Sequence, residues 1–504
     1  MLLSLVSLTS RYLLRLFRMF RVLGFLLLCG SFLTGQTSPK FSKAEDQIRS
    51  VVAAGAVPAI SVSVTQHGRI VWEQGFGLAD RERHIRATAE TPFYLASVAK
   101  SLTSTALMVL RESGKLNLDS PVNLYLGAAK VHSPMWNANE ATVRRVATHM
   151  AGLTTFYRVC NVGDSQCKIS IEQEIERYGI LFWPPGERFD YSNLGYAILG
   201  EAIAHVSRES FAKVLENSVF EPLGMTHCGL GGARGAAVNY DEYSHQRSPR
   251  QISGTPGASA VYCSAHDLAL FALLQLKDHR PTQQQILSDA AIDELHHPVA
   301  DVSGQGYAIG WWTEDREGER VIFGQGGTTD SFTLLELFPS EDLGIVILAN
   351  SWSDNLKMPN GIEQTLLAAL RQNLRARPQS SSAVLPHSPR PVAAQQLVGK
   401  WVGDIQTYAG RVPVEISVSA SGEAHGRVGS GAQAELRSPS IEGEHVYGVL
   451  SADLHEPDAP LPPYDVEFDL FFRGNKLTGA VTTRPGKAST TQLPHWSELQ
   501  KIGP

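Results

Sequence analysis

Basic charge is scarce in this 504-residue chain: 44 Lys and Arg stand against 50 Asp and Glu, for a formal net charge of -6. Without a basic field there is nothing to gather nucleic-acid phosphates, which excludes nucleic-acid binding as a first reading. Charged residues make up only 19% and hydrophobic residues 43%, with 44 Gly and 27 Pro. That balance excludes disordered, collagenous and coiled-coil chains, and the length leaves room for more than one domain. Cysteine is sparse, five in all, and no two have metal-site spacing. The commoner catalytic signatures are also missing: no Gly-x-Ser-x-Gly elbow, no His-Glu-x-x-His, and no Gly-x-x-x-x-Gly-Lys-Ser/Thr phosphate loop. Neither a metal nor a cofactor is expected.

Acidic residues are absent before Glu45, while Arg11, Arg15, Arg18 and Arg21 precede the apolar run from Val22 to Leu28 and the small or polar Gly30, Ser31, Thr34, Gly35 and Gln36. Residues 1–36 therefore read as an export signal cleaved near Gly35, with Met19 an alternative start. An uncleaved membrane anchor and an Arg-rich mitochondrial presequence compete with that reading. The expected location is periplasmic or extracellular, with a membrane tether if the signal is retained. Once Cys29 leaves with the signal, Cys160 and Cys167 flank a polar loop short enough for a disulfide. The alternative is that these two, Cys228 and Cys263 are all unpaired thiols.

Residues 376–391 carry Pro378, Pro386, Pro389 and Pro391 among serines and show no apolar periodicity, so they predict an extended linker. It divides residues 41–375 from residues 392–504. In the first part, Ser42 and Glu45 are spaced as a capping box before a helix ending near Gly55. Strands are predicted at Ile60–Thr65, Ile70–Gly75, Tyr307–Trp312, Val321–Phe323, Phe332–Phe338 and Gly344–Leu348. Helical spacing occupies the middle and returns around Ile362–Leu374. Strands at both ends with helices between them predict an α+β fold, one antiparallel sheet completed by the two ends of the chain with a helical region beside it. In the second part Val412, Val414, Ile416 and Val418 alternate with polar residues, as do Val466, Phe468 and Leu470. This predicts a small antiparallel β domain, sandwich or barrel, that supplies no catalytic group.

Chemistry is carried by Ser-x-x-Lys, whose spacing puts a hydroxyl and an amine about one helical turn apart. An amine with a pKa lowered by burial can take the serine's proton, and a helix N-terminus favours the developing negative charge. The pattern occurs three times: Ser97 with Lys100, Ser165 with Lys168, and Ser210 with Lys213. Ser165 lies in the polar loop between cysteines and Ser210 among charges, so only Ser97, which opens an apolar helix, fits. A second candidate is Tyr191-Ser192-Asn193: a tyrosine near a lysine can act as general base, and an asparagine amide can bind both lysine and substrate. Taken alone, Tyr191 reads more readily as a helix cap packed in the core.

In order along the chain, Thr91-Pro92-Phe93-Tyr94-Leu95-Ala96-Ser97-Val98-Ala99-Lys100, Thr148-His149-Met150-Ala151-Gly152-Leu153, Pro185-Gly186-Glu187-Arg188-Phe189-Asp190-Tyr191-Ser192-Asn193, Glu221-Pro222-Leu223-Gly224-Met225 and Gly344-Ile345-Val346-Ile347-Leu348-Ala349-Asn350 resemble the serine β-lactamase and penicillin-binding-protein superfamily. The resemblance covers residues 43–350 and is to its branch of class C β-lactamases, D-alanyl-D-alanine carboxypeptidases and family VIII esterases. It implies Ser97 as acylated nucleophile, Lys100 and Tyr191 sharing proton transfer, Asn193 binding substrate, and an oxyanion hole from the N–H groups of Ser97 and of a residue on an edge strand. The family's Lys-Thr-Gly or His-x-Gly motif matches Gln325-Gly326-Gly327, followed by Thr328 as second N–H donor, so Gln325 replaces the cation. His227-Cys228-Gly229 reads as a decoy, His149 as structural, and His296-His297 as a helix end. The implied function is an exported serine hydrolase acting on an ester, a D-amino-acid peptide or a β-lactam. The alternative is a weakly active or inactive module that binds or senses peptidoglycan.

Overall fold

The computed structural model describes residues 39–55, 57–158, 169–241, 245, 255–352, 358–371, 395–442, 444–459, 462–484 and 491–502. The export segment, the Cys160 to Cys167 loop with Ser165 and Lys168, and the linker fall outside them.

Alternation in Ala59–Gln66 sends Ile60, Val62 and Val64 to one face of a sheet and Ser61, Ser63 and Thr65 to the other, and both faces are buried. This strand pairs antiparallel with Leu343–Ala349, Ile60 opposite Ala349, so the two ends of the region meet at the centre of the sheet. The spatial order of its nine strands is Ile85–Arg86, Arg69–Asp80, Ala59–Gln66, Leu343–Ala349, Ser331–Phe338, Glu319–Thr328, Trp312–Arg316, Gln305–Tyr307, Ala300–Val302. The predicted α+β architecture is therefore present. Helices Ser42–Ala53 and Met358–Leu370 cover one face through Ala44, Ile48, Ile362 and Leu366. Helix Ala265–Gln275 packs on the other and joins the sheet to the helical region.

Local departures from the sequence expectations have local causes. The strand predicted over Tyr307–Trp312 is two strands, because the chain reverses between Tyr307 and Trp312 around Gly310 at φ 79°. Helix Ser42–Ala53 follows a short 3₁₀ turn, Pro39–Phe41, and Phe41 occupies its N-cap without a side-chain cap. Glu45, the expected capping partner of Ser42, is instead buried and 3.9 Å from Arg49. A capping box does form at Ser170 and Gln173, ahead of Ile171–Tyr178.

Residues 399–502 form nine strands of a second, ten-stranded sheet whose tenth strand is Tyr157–Arg158 from the first part of the chain, paired to Thr491–Ile502. The sheet curls around Trp401, Val466, Phe468 and Leu470. Leu436 bridges its two ends, since a Cβ added at Gly426 or Gly448 would run into it. The two parts also share an apolar contact made by Phe182 and Trp183 against Ala480 and Trp496, and ion pairs Arg177–Asp458 (2.7 Å) and Arg188–Asp469 (3.0 Å).

Candidate active site

Ser97 sits in a 3₁₀ turn, Ala96–Val98, that runs into helix Ala99–Glu112. Ala96 holds φ at 47°, a left-handed conformation uncommon for a residue with a Cβ. Its side chain is buried against Tyr94 and Tyr262, which fixes the strained turn. The helix that follows is buried on nearly every side, and its hydroxyls are satisfied inside the protein: Ser101 Oγ donates to Gly310 O (2.8 Å), Thr103 Oγ1 to Gly257 O (2.7 Å) and Thr105 Oγ1 to Ser101 O (2.9 Å). That accounting makes a Ser- and Thr-rich helix stable in the core.

Lys100 is 1% exposed. Its Nζ reaches Asn193 Oδ1 (2.8 Å), Ala258 O (3.1 Å) and Ser97 Oγ (3.1 Å), and it lies over the Tyr191 ring, 4.7 Å from the centroid. Two of those three partners can only accept, whereas a serine hydroxyl can also donate. A neutral amine that donates to Asn193 and Ala258 therefore turns its lone pair toward Ser97. Burial supports this protonation state, pulling Lys100 well below the usual lysine range. Burial also pushes the Tyr191 phenol up, against a hydrogen bond with Ser97 that pulls it down. Ser97, Lys100, Tyr191 and Asn193 thus meet at one point.

Tyr191 is not a helix cap. Ser192 caps Asn193–Ser207 by accepting from Gly195 N, which leaves the Tyr191 side chain free to face Ser97. His149, at φ 58° and buried, braces the turn. Its Nδ1 accepts from Ser192 N–H (3.1 Å), so the proton is on Nε2, which donates to Tyr307 Oη (3.1 Å). Burial holds this imidazole well below its usual range. Asn193 is buried, donates its amide to Phe156 O (3.2 Å), and is not part of the cleft wall.

The strand Glu319–Thr328 passes directly beside Ser97. A Cβ at Gly326 would lie 2.7 Å from Ser97 N and 2.4 Å from Leu95 O, so only glycine permits this approach. A cleft of about 740 Å³ opens there, lined by Ser97, Tyr191, Gln325, Gly326, Gly327 and Thr328 together with Tyr157, Gln305, Trp312, Phe323, Thr329 and Trp352. None of these side chains carries a formal charge. Motif reasoning missed the aromatic wall, because Tyr157, Trp312, Phe323 and Trp352 belong to no short pattern and come together only through the fold.

The other sequence candidates lie elsewhere. Ser210 caps Phe211–Leu215, and Lys213 pairs with Glu216 at the surface. His227 is 3.5 Å from Asp267 and outside the cleft. Cys228 forms a disulfide with Cys263, a pairing the sequence reading did not anticipate, since it set these two among the unpaired thiols. His296 ends helix Asp289–Leu295, buried against Trp311 and lowered by burial to about 3. Among the described residues no group of three His, Cys, Asp or Glu side chains could hold a metal, and no helix is long and apolar enough to cross a membrane.

A family model described as Beta-lactamase matches residues 44–370. The chain belongs to the beta-lactamase family. It is 26% identical over 306 residues to Protein flp of Staphylococcus aureus (strain MRSA252), covering 59% of this chain and 60% of that protein. The chain thus spans about 60% of the length of that curated relative. Among solved structures, the octameric penicillin-binding protein homologue from Pyrococcus abyssi aligns with a TM-score of 0.55 at 21% identity, covering 91% of this chain and 99% of that one. A class C beta lactamase from Rhodobacter sphaeroides aligns with 0.53 at 23%, covering 66% and 98%. At these identities the likeness shows the fold. The first alignment covers more of the chain than residues 1–391 supply, so that likeness extends into the C-terminal sheet.

Proposed function

We propose that this beta-lactamase family member is an exported serine hydrolase that turns over through an acyl-enzyme on Ser97. The observation that carries the reading is the position of Lys100 Nζ, 3.1 Å from Ser97 Oγ, with its other two contacts on obligate acceptors. The proton of Ser97 passes to the neutral amine as Oγ attacks the substrate carbonyl. Tyr191, hydrogen bonded to the same hydroxyl, shares the transfer. The N–H groups of Ser97 and Thr328 hold the oxyanion. Collapse expels the alcohol or amine, which takes a proton back from Lys100 or Tyr191, and water then hydrolyses the ester on Ser97 by the same relay.

Gln325 and the lack of charge among the described lining residues favour a neutral ester or amide over substrates that must anchor a carboxylate, as carboxylate-bearing β-lactams and D-alanyl peptides must. The absence of a cation at 325 also motivates the second reading, a weakly active module that binds or senses peptidoglycan. Labelling with a fluorophosphonate and with a fluorescent penicillin, followed by mass spectrometry of the Ser97 peptide, separates the two. The hydrolase reading expects fluorophosphonate on Ser97, and a label from neither reagent contradicts it.

A further inference from the structure

Residues Thr154–Arg158 touch the reactive turn on one side and the C-terminal sheet on the other. Thr154 Oγ1 donates to Asp190 Oδ2 (2.8 Å), Thr155 Oγ1 to Tyr191 O (3.2 Å), and Phe156 O accepts from Asn193 Nδ2 (3.2 Å). Three consecutive residues are thus bonded to Asp190, Tyr191 and Asn193. Tyr157 then lines the cleft. Tyr157 and Arg158 form the strand that pairs with Gln492 and Thr491 of the last C-terminal strand.

Arg158, 4% exposed, anchors this segment. Its guanidinium lies 3.3 Å from Glu174 Oε1 and 3.3 Å from Asp458 Oδ2. Asp458 comes from the C-terminal part and also accepts from Arg177 (2.7 Å) and from Tyr178 Oη (2.8 Å). The Tyr178 ring packs on Phe156, returning the contact to the segment that holds Asn193. Glu456, 2.7 Å from His495, sits beside the same tyrosine hydroxyl. Buried ion clusters of this kind add little to stability over apolar packing, but removing one partner is strongly unfavourable because it leaves the others buried and uncompensated.

We propose that the C-terminal sheet is a working part of the active site: through Asp458 and Arg158 it holds the Thr154–Arg158 segment, and through that segment it sets the positions of Tyr191 and Asn193 against Ser97 and Lys100. Asp458, Arg158 and Thr155 are positioning residues, and touch no substrate. The proposal rests on the acyl-enzyme reading above.

The test uses the full chain with a neutral ester, below the unfolding temperature of each variant. Asp458→Asn removes the charge on the sheet side of the segment. Thr155→Val removes the hydroxyl on the side of the turn, with nearly unchanged shape. Each is expected to lower kcat roughly tenfold with KM little changed, well inside the roughly 100-fold that a 1 Å misplacement can produce. Asp458→Glu should recover part of the loss. The double variant should be no slower than the slower single, because both cut the same link. Wild-type kcat in either folded single variant, or losses that multiply in the double, overturns the proposal. If Asp458→Asn does not fold, Thr155→Val decides alone. Fluorophosphonate labelling at Ser97 in the same preparations keeps the two ideas apart. Labelled variants with unchanged kcat overturn the positioning role alone, whereas an unlabelled wild type overturns the acyl-enzyme reading and this proposal with it.

Discussion

Gln325→Lys places a cation in a cleft whose lining, among the described residues, carries none. The side chain is exposed on the strand that passes Ser97, opposite Leu334 in the register, so a lysine there meets no steric obstacle from the core. A charge-assisted hydrogen bond to a substrate carboxylate is worth about 1.5 to 3 kcal/mol, against about 0.5 to 1.5 for the neutral bond that glutamine makes. The difference of about 1 to 2 kcal/mol corresponds to roughly 5- to 30-fold in kcat/KM. Because the site is open to solvent, screening places the expected gain toward the lower end, about fivefold. The assay compares kcat/KM for a neutral ester and an otherwise matched ester bearing a carboxylate, in wild type and variant, at low and high salt. The gain should fall on the charged ester only and shrink as ionic strength rises. No gain, or an equal gain on both esters, would show that position 325 does not face the carboxylate and that the strand motif is misassigned.

Other consequences follow from the same geometry. Tyr191→Phe should slow single-turnover acylation by about 10² to 10⁴-fold, the range for a lost proton-transfer group, while substrate binding is retained; an unchanged acylation rate would leave Lys100 as the sole base. Lys100 must be neutral to accept the Ser97 proton, and burial lowers its pKa in the folded state. Activity should therefore be lost as pH falls through a limb lying well below the ordinary lysine value of about 10.4, and a limb at that value would contradict the assignment. A chain ending near Arg375 would expose Phe182 and Trp183 and deprive Arg158, Arg177 and Tyr178 of Asp458. Arg158 keeps Glu174 as a partner, but the bared apolar seam and the loss of the strand paired to Tyr157–Arg158 should leave this truncation poorly soluble and inactive. A soluble, active product would show that the C-terminal sheet is dispensable.

Local signals in the sequence carried the α+β architecture and pointed to four of the residues that meet at Ser97. Ala59–Gln66 alternates between apolar and polar residues, whereas Leu343–Ala349 is an apolar run, as suits a strand buried on both faces. Ser97 and Lys100 lie one turn apart because the spacing imposes it. What stayed hidden depends on contacts between distant segments. Nothing around Tyr157 announces a strand, because its partner lies beyond residue 490. The bridge joins Cys263, at the end of strand Val261–Cys263, to Cys228, just before the neighbouring strand Gly229–Leu230, with Gly229 opposite Tyr262, whereas attention to sequence proximity favoured Cys160 and Cys167. Lys100 Nζ also donates to Ala258 O, a backbone atom that no side-chain motif marks. The β character of residues 399–502 was plain from alternation, but its union with the reactive turn depends on Asp458, which in sequence is one more acidic residue in a polar loop.

The central claim is that Ser97 becomes covalently acylated, and the direct measurement is intact-protein mass after rapid acid quench with a slowly turned-over ester, followed by peptide mapping. The account predicts one acyl group per chain, on the peptide containing Ser97, with no adduct in Ser97→Ala and an unfolding temperature close to wild type. In steady state, that substitution should cost several orders of magnitude in kcat. An adduct that persists in Ser97→Ala, or retention of more than about a tenth of the wild-type rate by that variant, would contradict it.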